Sequence, residues 1–303
     1  MAIHNVCMTE FLRGFNAADA DANGIRIHYA RGGDGPPLLL LHGFPQTHAM
    51  WHKIASQLAR RFTVIAPDLR GYGESSKPAG DPAHATYSKR VMASDQVELM
   101  HSLGFESFDV VSHDRGARVA HRLALDHPAT VKRLVLMDIA PTLAMYEATN
   151  QLMATAYFHW FFLIQPAPFP EQLLGGNPDF AIDATMLALS RRNIGAFPPE
   201  ILSEYKRHFR DPATIHAICE DYRAGASIDL DHDRADLSTR KITCPTLVLW
   251  GETGLVGKLF DVVEVWRTRA QRPELVVGQA LPCGHFLPEE APQETLEILN
   301  SFL

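Results

Sequence analysis

Cysteine is scarce in this sequence, and its four residues follow no metal-binding or redox spacing. Cys7, Cys219, Cys244 and Cys283 are widely separated, and no two of them form a C-x-x-C pair. The pattern therefore gives no indication of a disulfide framework or a cysteine metal site. We expect reduced, structural thiols in a cytoplasmic protein.

Long apolar runs and an excess of basic charge are also missing. The most apolar window, residues 157–164, is far too short to span a bilayer, and residues 1–15 lack the basic and apolar segments of a secretory signal. Lys and Arg number 28 against 35 Asp and Glu, which gives a formal net charge of -7. Nucleic acid needs a basic field, so neither nucleic acid nor a membrane is an expected partner.

The overall amino-acid composition is typical of a globular protein. Hydrophobic residues make up 46% of the 303 residues and charged residues 21%, which is close to the average for folded domains. A chain of this length accommodates one α/β core with an insertion. Arginines placed locally still permit a small anionic substrate, because screening weakens the effect of a distant mean charge.

One stretch, residues 110–118, has the pattern of a strand, a tight turn and a helix. It reads Val-Val-Ser-His-Asp-Arg-Gly-Ala-Arg, with Asp114 at the turn and Gly116 opening a helical pattern. This is the layout of a nucleophile elbow with aspartate where serine is usual. Arg115 directly follows Asp114, and Arg118 lies about one helical turn further along, on roughly the same face. Two cations therefore lie beside an anionic nucleophile. The stretch therefore suggests a negatively charged substrate.

Apolar strand patterns alternate with helical patterns through most of the chain. Strands are predicted at residues 24–29, 38–41, 62–66, 131–137, 245–251 and 275–277, in addition to the strand before Asp114. Helices are predicted near residues 50–59, 90–103, 259–269 and 292–303. This alternation predicts a mostly parallel sheet covered by helices on both faces. Ligands collect at the carboxyl ends of such strands, where Asp114 and Asp138 both fall.

The alternation stops between residues 141 and 234, where the sequence is helical and rich in aromatic residues and prolines. We predict an α/β core formed by residues 1–140 and 235–303, with residues 141–234 inserted as a helical cap.

Four motifs in order resemble those of the α/β-hydrolase superfamily. They are the loop at 42–45 (His-Gly-Phe-Pro), the loop at 68–75 (Asp-Leu-Arg-Gly-Tyr-Gly-Glu-Ser), the elbow, and Gly-His-Phe at 284–286. The resemblance implies the α/β-hydrolase fold, with an eight-stranded sheet. Because the elbow carries Asp114, it points to the dehalogenases and epoxide hydrolases, in which a carboxylate attacks carbon to give an ester.

An ester intermediate must be hydrolysed, so a general base is required. His285 is the candidate, because a neutral imidazole can deprotonate water at physiological pH. We expect Asp138 to orient it, since Gly254 stands near the position where many relatives have an aspartate. Glu252 is the alternative acid. A helix cap or turn is the competing interpretation of Asp138.

Three segments resemble those of the fluoroacetate dehalogenases: the elbow at 113–119, Asp-Ile-Ala-Pro at 138–141, and the aromatic stretch Tyr-Phe-His-Trp-Phe-Phe at 157–162. This resemblance implies that Arg115 and Arg118 bind the substrate carboxylate, that His159, Trp160 and Tyr222 bind the halide, and that the protein is a homodimer. A guanidinium matches the carboxylate fork, and imidazole, indole and phenol each offer a donor to a departing fluoride. The competing interpretation is that the arginines pair with structural carboxylates and the aromatic residues belong to the core.

The oxyanion hole is predicted to be the backbone N–H groups of Phe44 and Arg115. No cofactor and no metal are expected. The acidic segment at 229–233 lacks a firm ligand spacing and is better explained as a solvated acidic turn.

We expect hydrolytic dehalogenation of a short 2-haloacid, fluoroacetate above all, to glycolate and fluoride through an ester of Asp114. One alternative is an epoxide hydrolase with the same nucleophile, which needs two acidic donors. Tyr222 supplies one, no second donor is evident from the sequence, and Tyr157 and Tyr146 are the candidates for it. A second alternative is a small-ligand receptor that performs no catalysis.

Overall fold

The computed structural model describes residues 4–8 and 11–303, with side chains from residue 11 onwards, so the Cys7 thiol lies outside the described part. The strands form one sheet in the order β1-β2-β3-β5-β4-β6-β7-β8-β9. They are β1 (His4–Met8), β2 (Asn16–Ala22), β3 (Ile25–Gly32), β4 (Pro37–Leu41), β5 (Thr63–Pro67), β6 (Phe108–His113), β7 (Val131–Met137), β8 (Thr246–Gly251) and β9 (Val276–Leu281).

The sheet is mostly parallel, as predicted. The five pairings from β5 through β4, β6, β7 and β8 to β9 are parallel, and the three at the amino-terminal edge are antiparallel. The described part contains nine strands, whereas the resemblance implied eight. The sequence patterns had also left out both β1 and β2.

The central strands are covered on both faces. Every residue of β5 and β6 is buried, and so is every residue of β4 after Pro37. This burial explains their continuous apolar sequences, since a strand enclosed by helices has no solvent-facing side. The carboxyl ends of β4, β6, β7 and β8 are neighbours along one edge of the sheet.

Fifteen α-helices surround the described strands. Those that precede or follow core strands are α1 (Ala55–Leu58), α2 (Lys89–Ser102), α3 (Asp114–Asp126), α12 (Val256–Leu259), α13 (Val262–Arg267), α14 (Leu287–Glu290) and α15 (Pro292–Phe302). Helix α3 packs against β6, β7 and α2, and α13 packs against β8 and β9. The helix predicted at 50–59 is instead a 3-10 helix at His48–Trp51 followed by α1.

Between β7 and β8 lie a 3-10 helix at Ile194–Ala196 and eight α-helices. The α-helices are α4 (Thr142–Glu147), α5 (Gln151–Ala156), α6 (Phe158–Phe162), α7 (Phe169–Gly176), α8 (Pro178–Leu189), α9 (Pro199–Phe209), α10 (Pro212–Gly225) and α11 (Ile228–Asp236). We keep the name cap for residues 141–234, and their separation from the core as a domain stays a prediction. In the part of the chain that is described, no helix has the length and apolar character needed to cross a membrane.

Candidate active site

The predicted nucleophile lies at a sharp turn between a strand and a helix. β6 ends at His113 and α3 begins at Asp114, whose φ of 45° falls in the left-handed region. A residue with a side chain is strained there by about 1–3 kcal/mol, so the surrounding structure must hold it in place. The turn puts Asp114 at the carboxyl edge of the sheet and at the N-terminus of α3.

Two glycines leave room for this turn. A Cβ atom at Gly116 would lie 2.3 Å from the carbonyl oxygen of His42 and 2.5 Å from that of Leu41. A Cβ atom at Gly43 would lie 2.5 Å from the Cβ of Asp114. The loop after β4 and the elbow therefore approach each other more closely than side chains permit.

The two carboxylate oxygens of Asp114 have different surroundings. The backbone N–H of Phe44 donates a 2.9 Å hydrogen bond to Oδ1, whereas Oδ2 lies 3.7 Å from Nε2 of His285. Burial acts to raise the pKa of this carboxyl, but the charges of His285, Arg115 and Arg118 outweigh it and hold the pKa below its usual value. Asp114 is therefore an ionised, 7% exposed carboxylate with one oxygen held and the other facing the histidine.

The second predicted oxyanion donor is the backbone N–H of Arg115. It lies in the first turn of α3, where backbone N–H groups have no partner within the helix. Its position beside Asp114 follows directly from the elbow.

His285 and Asp138 form a buried pair. Asp138 follows β7, and its Oδ2 lies 2.6 Å from Nδ1 of His285, while Oδ1 accepts a 3.0 Å bond from the N–H of Gly251. Burial acts to lower the pKa of His285, but the hydrogen bond and charge of Asp138, with the charge of Asp114, raise it above its usual value. This arrangement turns Nε2 of the imidazole towards Asp114.

The structure brings Asp138, rather than Glu252, to the histidine. Glu252 is exposed and contacts neither ring nitrogen of His285. A Cβ atom at Gly254 would lie 3.4 and 3.6 Å from the two carboxylate oxygens of Asp138. The loop after β8 therefore passes beside the carboxylate that comes from β7.

His113 is a contributor to this site that the sequence interpretation did not include. Its Nε2 lies 2.8 Å from the carbonyl oxygen of His285, and the centres of the two imidazole rings are 4.6 Å apart, with the rings tilted by 52°. Burial lowers the pKa of His113 to about 3, so the ring is a neutral donor. The one sequence feature that could have indicated a role for His113 is its position next to Asp114.

The two predicted carboxylate-binding arginines differ in their partners. Arg115 is buried and forms an ion pair with Asp221 of α10, with Nε to Oδ2 at 2.8 Å and Nη2 to Oδ1 at 2.9 Å. Arg118 donates from Nη1 to the carbonyl of Ala140 at 3.2 Å and to Oγ1 of Thr142 at 2.9 Å. Among the described side chains, no carboxylate lies within ion-pair distance of Arg118. Asp221 gave no sequence signal beyond standing next to Tyr222.

The three predicted halide ligands come from the cap. His159 on α6 stacks on Phe44 with ring centroids 5.8 Å apart, and it meets Tyr222 of α10 at 5.9 Å. The guanidinium carbon of Arg118 lies 4.6 Å from the centre of the Trp160 ring, and that of Arg115 lies 4.2 Å from the Tyr222 ring. The cap thus covers the two arginines with aromatic faces.

The protonation states of this aromatic group are set mainly by burial. Burial, with the charges of His285 and Arg115, lowers the pKa of His159 to about 3, although Asp114 acts in the opposite direction. Burial and the charge of Asp114 raise the pKa of the Tyr222 phenol well above its usual value. His159 is therefore a neutral imidazole, and Tyr222 keeps its proton as a donor.

The hydroxyls of two buried tyrosines have no hydrogen-bond partner among the described residues. They belong to Tyr222 and to Tyr157, at the end of α5, whose ring lies 6.4 Å from that of His285. Burial and the charges of Asp138 and Asp114 raise the pKa of Tyr157 well above its usual value. Two unused protonated phenols therefore lie close to the proposed nucleophile.

One group of side chains away from this site has metal-binding residue types. His28, His48 and Asp68 bring potential ligand atoms within 4.8 Å of one another. However, Asp68 accepts bonds from the N–H groups of His48 and Glu74, and Nδ1 of His28 lies 2.8 Å from Asp19. The donors and acceptors already satisfy one another, so the group is better explained as two histidine–carboxylate pairs that brace the loop after β5.

Comparisons with known proteins cover nearly the whole chain. A family model for the alpha/beta hydrolase fold matches residues 36–292. A fluoroacetate dehalogenase from Burkholderia sp is 48% identical, over 96% of this chain and 94% of the relative. A soluble epoxide hydrolase from Corynebacterium sp. (strain C12) is 34% identical, over 92% of this chain and 94% of the relative. The solved structure of a Nostoc sp PCC 7120 protein is 58% identical, covers 95% of this chain and 97% of that one, and has a TM-score of 0.92. These similarities confirm the resemblance drawn from the four motifs.

Proposed function

Since the chain belongs to the alpha/beta hydrolase fold family, we propose that it hydrolyses the carbon–halogen bond of a short 2-haloacid, with fluoroacetate as the expected substrate. The observation that carries the proposal is the combination at one buried point of an ionised Asp114, the His285–Asp138 pair, and Arg118 without a carboxylate partner. A small anion with an electrophilic carbon matches this set of groups.

The first step forms an ester on Asp114. Because Phe44 holds Oδ1, the free oxygen Oδ2 attacks the α-carbon, and the electrons of the carbon–fluorine bond leave with fluoride. Fluoride loses its strong hydration in a buried site and needs replacement donors, which His159, Trp160 and Tyr222 would supply. The product of this step is a glycolyl ester of the aspartate.

The second step hydrolyses that ester. Nε2 of His285 takes a proton from water, and the hydroxide adds to the carbonyl carbon of the ester. Negative charge then develops on Oδ1, where the backbone N–H groups of Phe44 and Arg115 would stabilise it. The glycolate oxygen leaves with the proton from His285, and the Asp114 carboxylic acid releases its proton to solvent.

Replacing His285 tests this order of events. His285→Asn leaves Asp114 able to attack but removes the base, so the ester should accumulate. Mass spectrometry after exposure to fluoroacetate should show one added carboxymethyl group on the peptide that contains Asp114, with one equivalent of fluoride released. Asp114→Asn, the matched control, should give neither product. A folded His285→Asn protein without the adduct would refute the proposed intermediate.

Epoxide hydrolysis is a second candidate function, favoured by the unpartnered hydroxyls of Tyr157 and Tyr222. Attack of Asp114 on an epoxide carbon breaks a carbon–oxygen bond, and the two phenols could donate to the departing oxygen. The 34% identity to the soluble epoxide hydrolase from Corynebacterium sp. (strain C12) supports this second candidate as well.

Two tyrosine variants separate these candidates. If the protein is a dehalogenase, Tyr222→Phe should lower fluoride release from fluoroacetate about tenfold or more, because one charge-assisted donor of about 1.5–3 kcal/mol is lost. Tyr157→Phe should then change it less than threefold. If styrene oxide is the better substrate and both variants lose activity on it, the epoxide hydrolase assignment replaces the first. Turnover of either compound excludes a receptor that performs no catalysis.

The proposed setting is cytoplasmic, and the proposed assembly is a homodimer. The three cysteines whose side chains are described, Cys219, Cys244 and Cys283, are free and buried, which supports a reducing compartment. Exposed aromatic side chains on the cap, among them Phe158 and Phe180, support self-association.

A further inference from the structure

A buried carboxylate of the cap accepts four side-chain hydrogen bonds next to the proposed site. Asp221 is fully buried and lies on α10, one residue before Tyr222. Its Oδ2 accepts bonds from Nε of Arg115 and from the hydroxyl of Tyr72, both at 2.8 Å, and its Oδ1 binds the ammonium group of Lys89. Asp221 therefore faces two cations and has no free oxygen.

In this arrangement Asp221 occupies the donors on one edge of the Arg115 guanidinium, the edge formed by Nε and Nη2. Nε and Nη2 both bind Asp221, and Nη2 also donates to its backbone carbonyl at 2.7 Å. A guanidinium binds a carboxylate most strongly through two parallel donors on one edge. Only Nη1 of Arg115 makes no hydrogen bond to the described residues, so Arg115 can offer a substrate a single nitrogen.

Arg118 is arranged in the opposite way. Its Nη1 is held by Ala140 and Thr142, its Nε is buried without a partner, and its Nη2 donates to none of the described residues. The edge formed by Nε and Nη2 is therefore available as a fork. A buried cation without an ion-pair partner is costly, and an anionic ligand on that edge would lower the cost.

We infer that Asp221 determines the charge selectivity of the site: by neutralising Arg115 and occupying its fork, it leaves Arg118 as the bidentate partner and limits the site to one carboxylate. This inference rests on the proposed anionic substrate and goes beyond it, because it assigns unequal roles to the two arginines. Asp221 acts through Arg115 and is a positioning residue.

The charge balance gives this inference a measurable consequence. In the protein as it stands, Asp221 compensates Arg115, and Asp229 lies 3.4 Å from Lys89 on the far side. Asp221→Asn removes one negative charge and retains the side-chain size. Arg115 then becomes a second uncompensated cation beside Arg118, which favours a ligand with two carboxylates.

The experiment compares acetate with malonate, which is doubly ionised above pH 7, as inhibitors of fluoride release. We expect the wild-type protein to bind acetate more tightly. In Asp221→Asn the ratio of the malonate to the acetate inhibition constant should fall at least tenfold. Tyr72→Phe is the matched control, because it removes one bond to Asp221 without changing charge, and its ratio should stay within twofold of wild type. An unchanged ratio in Asp221→Asn, or malonate that still fails to inhibit, would overturn the inference.

A second pair of variants keeps the inference testable if Asp221→Asn does not fold. Lysine at position 115 can still pair with Asp221, whereas lysine at position 118 has lost the fork. Arg118→Lys should therefore raise the KM for fluoroacetate at least tenfold more than Arg115→Lys does. Arg122→Lys, one turn further along α3 and paired with Asp126 and Asp236, is the control for the substitution itself. Equal effects at 115 and 118 would contradict the assignment.

Failure of the proposed function is distinguishable from failure of this inference. If the wild-type protein releases no fluoride from fluoroacetate, the acetate and malonate affinities of the same variants are measured by titration calorimetry. A shift in that ratio then supports the role of Asp221 without dehalogenation. Absence of acetate binding to the wild-type protein would overturn both proposals.

Discussion

The protonation of one imidazole, that of His285, governs the proposed second step. The neutral form accepts the proton of water, and the surroundings of His285 raise its pKa above the ordinary value of about 6.5. A raised pKa keeps the protonated form present to higher pH. Turnover should therefore fall as the pH decreases through the pKa of His285.

The pH profile of kcat checks this expectation, and Asp138→Asn is the informative variant. Once Asp114 is esterified its charge is gone, so Asp138, whose effect exceeds that of the Glu290 charge, is the main group that opposes the effect of burial. The variant should shift the acid limb to lower pH and lower kcat at least about 100-fold, because an amide neither stabilises the imidazolium nor fixes the correct tautomer. An acid limb that does not move in the variant would show that a different group is titrating.

Single residues that stand within motifs could be predicted from the sequence as candidates, whereas residues that only the fold brings together could not. Asp138 could be named because it directly follows an apolar strand. The ion pair between Arg115 and Asp221 joins residues 106 positions apart, one of them on a cap helix. Neither periodicity nor local spacing reports such a pair, since the packing of the cap on the core decides it.

Among the elements, the elbow depends on the absence of a side chain at Gly116. In Gly116→Ala the new Cβ would meet two backbone carbonyls at 2.3 and 2.5 Å, and backbone cannot move aside as a flexible side chain can. We expect a loss of about 1–3 kcal/mol in the free energy of unfolding, measured by urea denaturation. Activity should fall as well, because the elbow would shift.

Gly175→Ala, in α7, is the control for that change. A Cβ there would touch only Cδ1 of Ile215, at 3.9 Å. Alanine within a helix loses less conformational entropy on folding than glycine, so the control should be neutral or more stable by up to about 1 kcal/mol. If Gly116→Ala were as stable as the wild-type protein and this control, the clash at the elbow would be relieved without cost and the expectation would be wrong.

The strands could be predicted where burial dictated their composition. β4, β5 and β6 are enclosed, so each is a continuous apolar run. β2 reads Asn-Ala-Ala-Asp-Ala-Asp-Ala, with no β-branched residue, and pairing with β3 rather than propensity makes it a strand. The overlooked signal was Asn23-Gly24 between them, both with positive φ, which is typical of a two-residue hairpin.

On the scale of the whole molecule, the apolar surface is unevenly distributed. Seven of the nine exposed large hydrophobic side chains in the described part belong to the cap: Leu152, Phe158, Phe169, Leu173, Phe180, Leu187 and Ile194. Single exposed apolar residues are ordinary on protein surfaces, but a concentration in one region is typical of an interaction surface. We therefore expect the proposed homodimer to form through the cap.

Sedimentation velocity tests this arrangement. Phe158 and Phe180 are 61% and 67% exposed, and each would contribute about 1.5–3 kcal/mol if an interface buried it fully. The double variant Phe158→Ser with Phe180→Ser should therefore weaken the dimer about 100-fold or more and give monomers at micromolar concentration. Val277→Ser, at a 47% exposed position of β9 outside the cap, should leave the dimer intact.

A double variant that still sediments as a dimer would place the interface elsewhere, and a monomeric wild-type protein would refute the assembly itself. Because the site is built from residues of one chain, the monomeric variant should retain its activity on fluoroacetate.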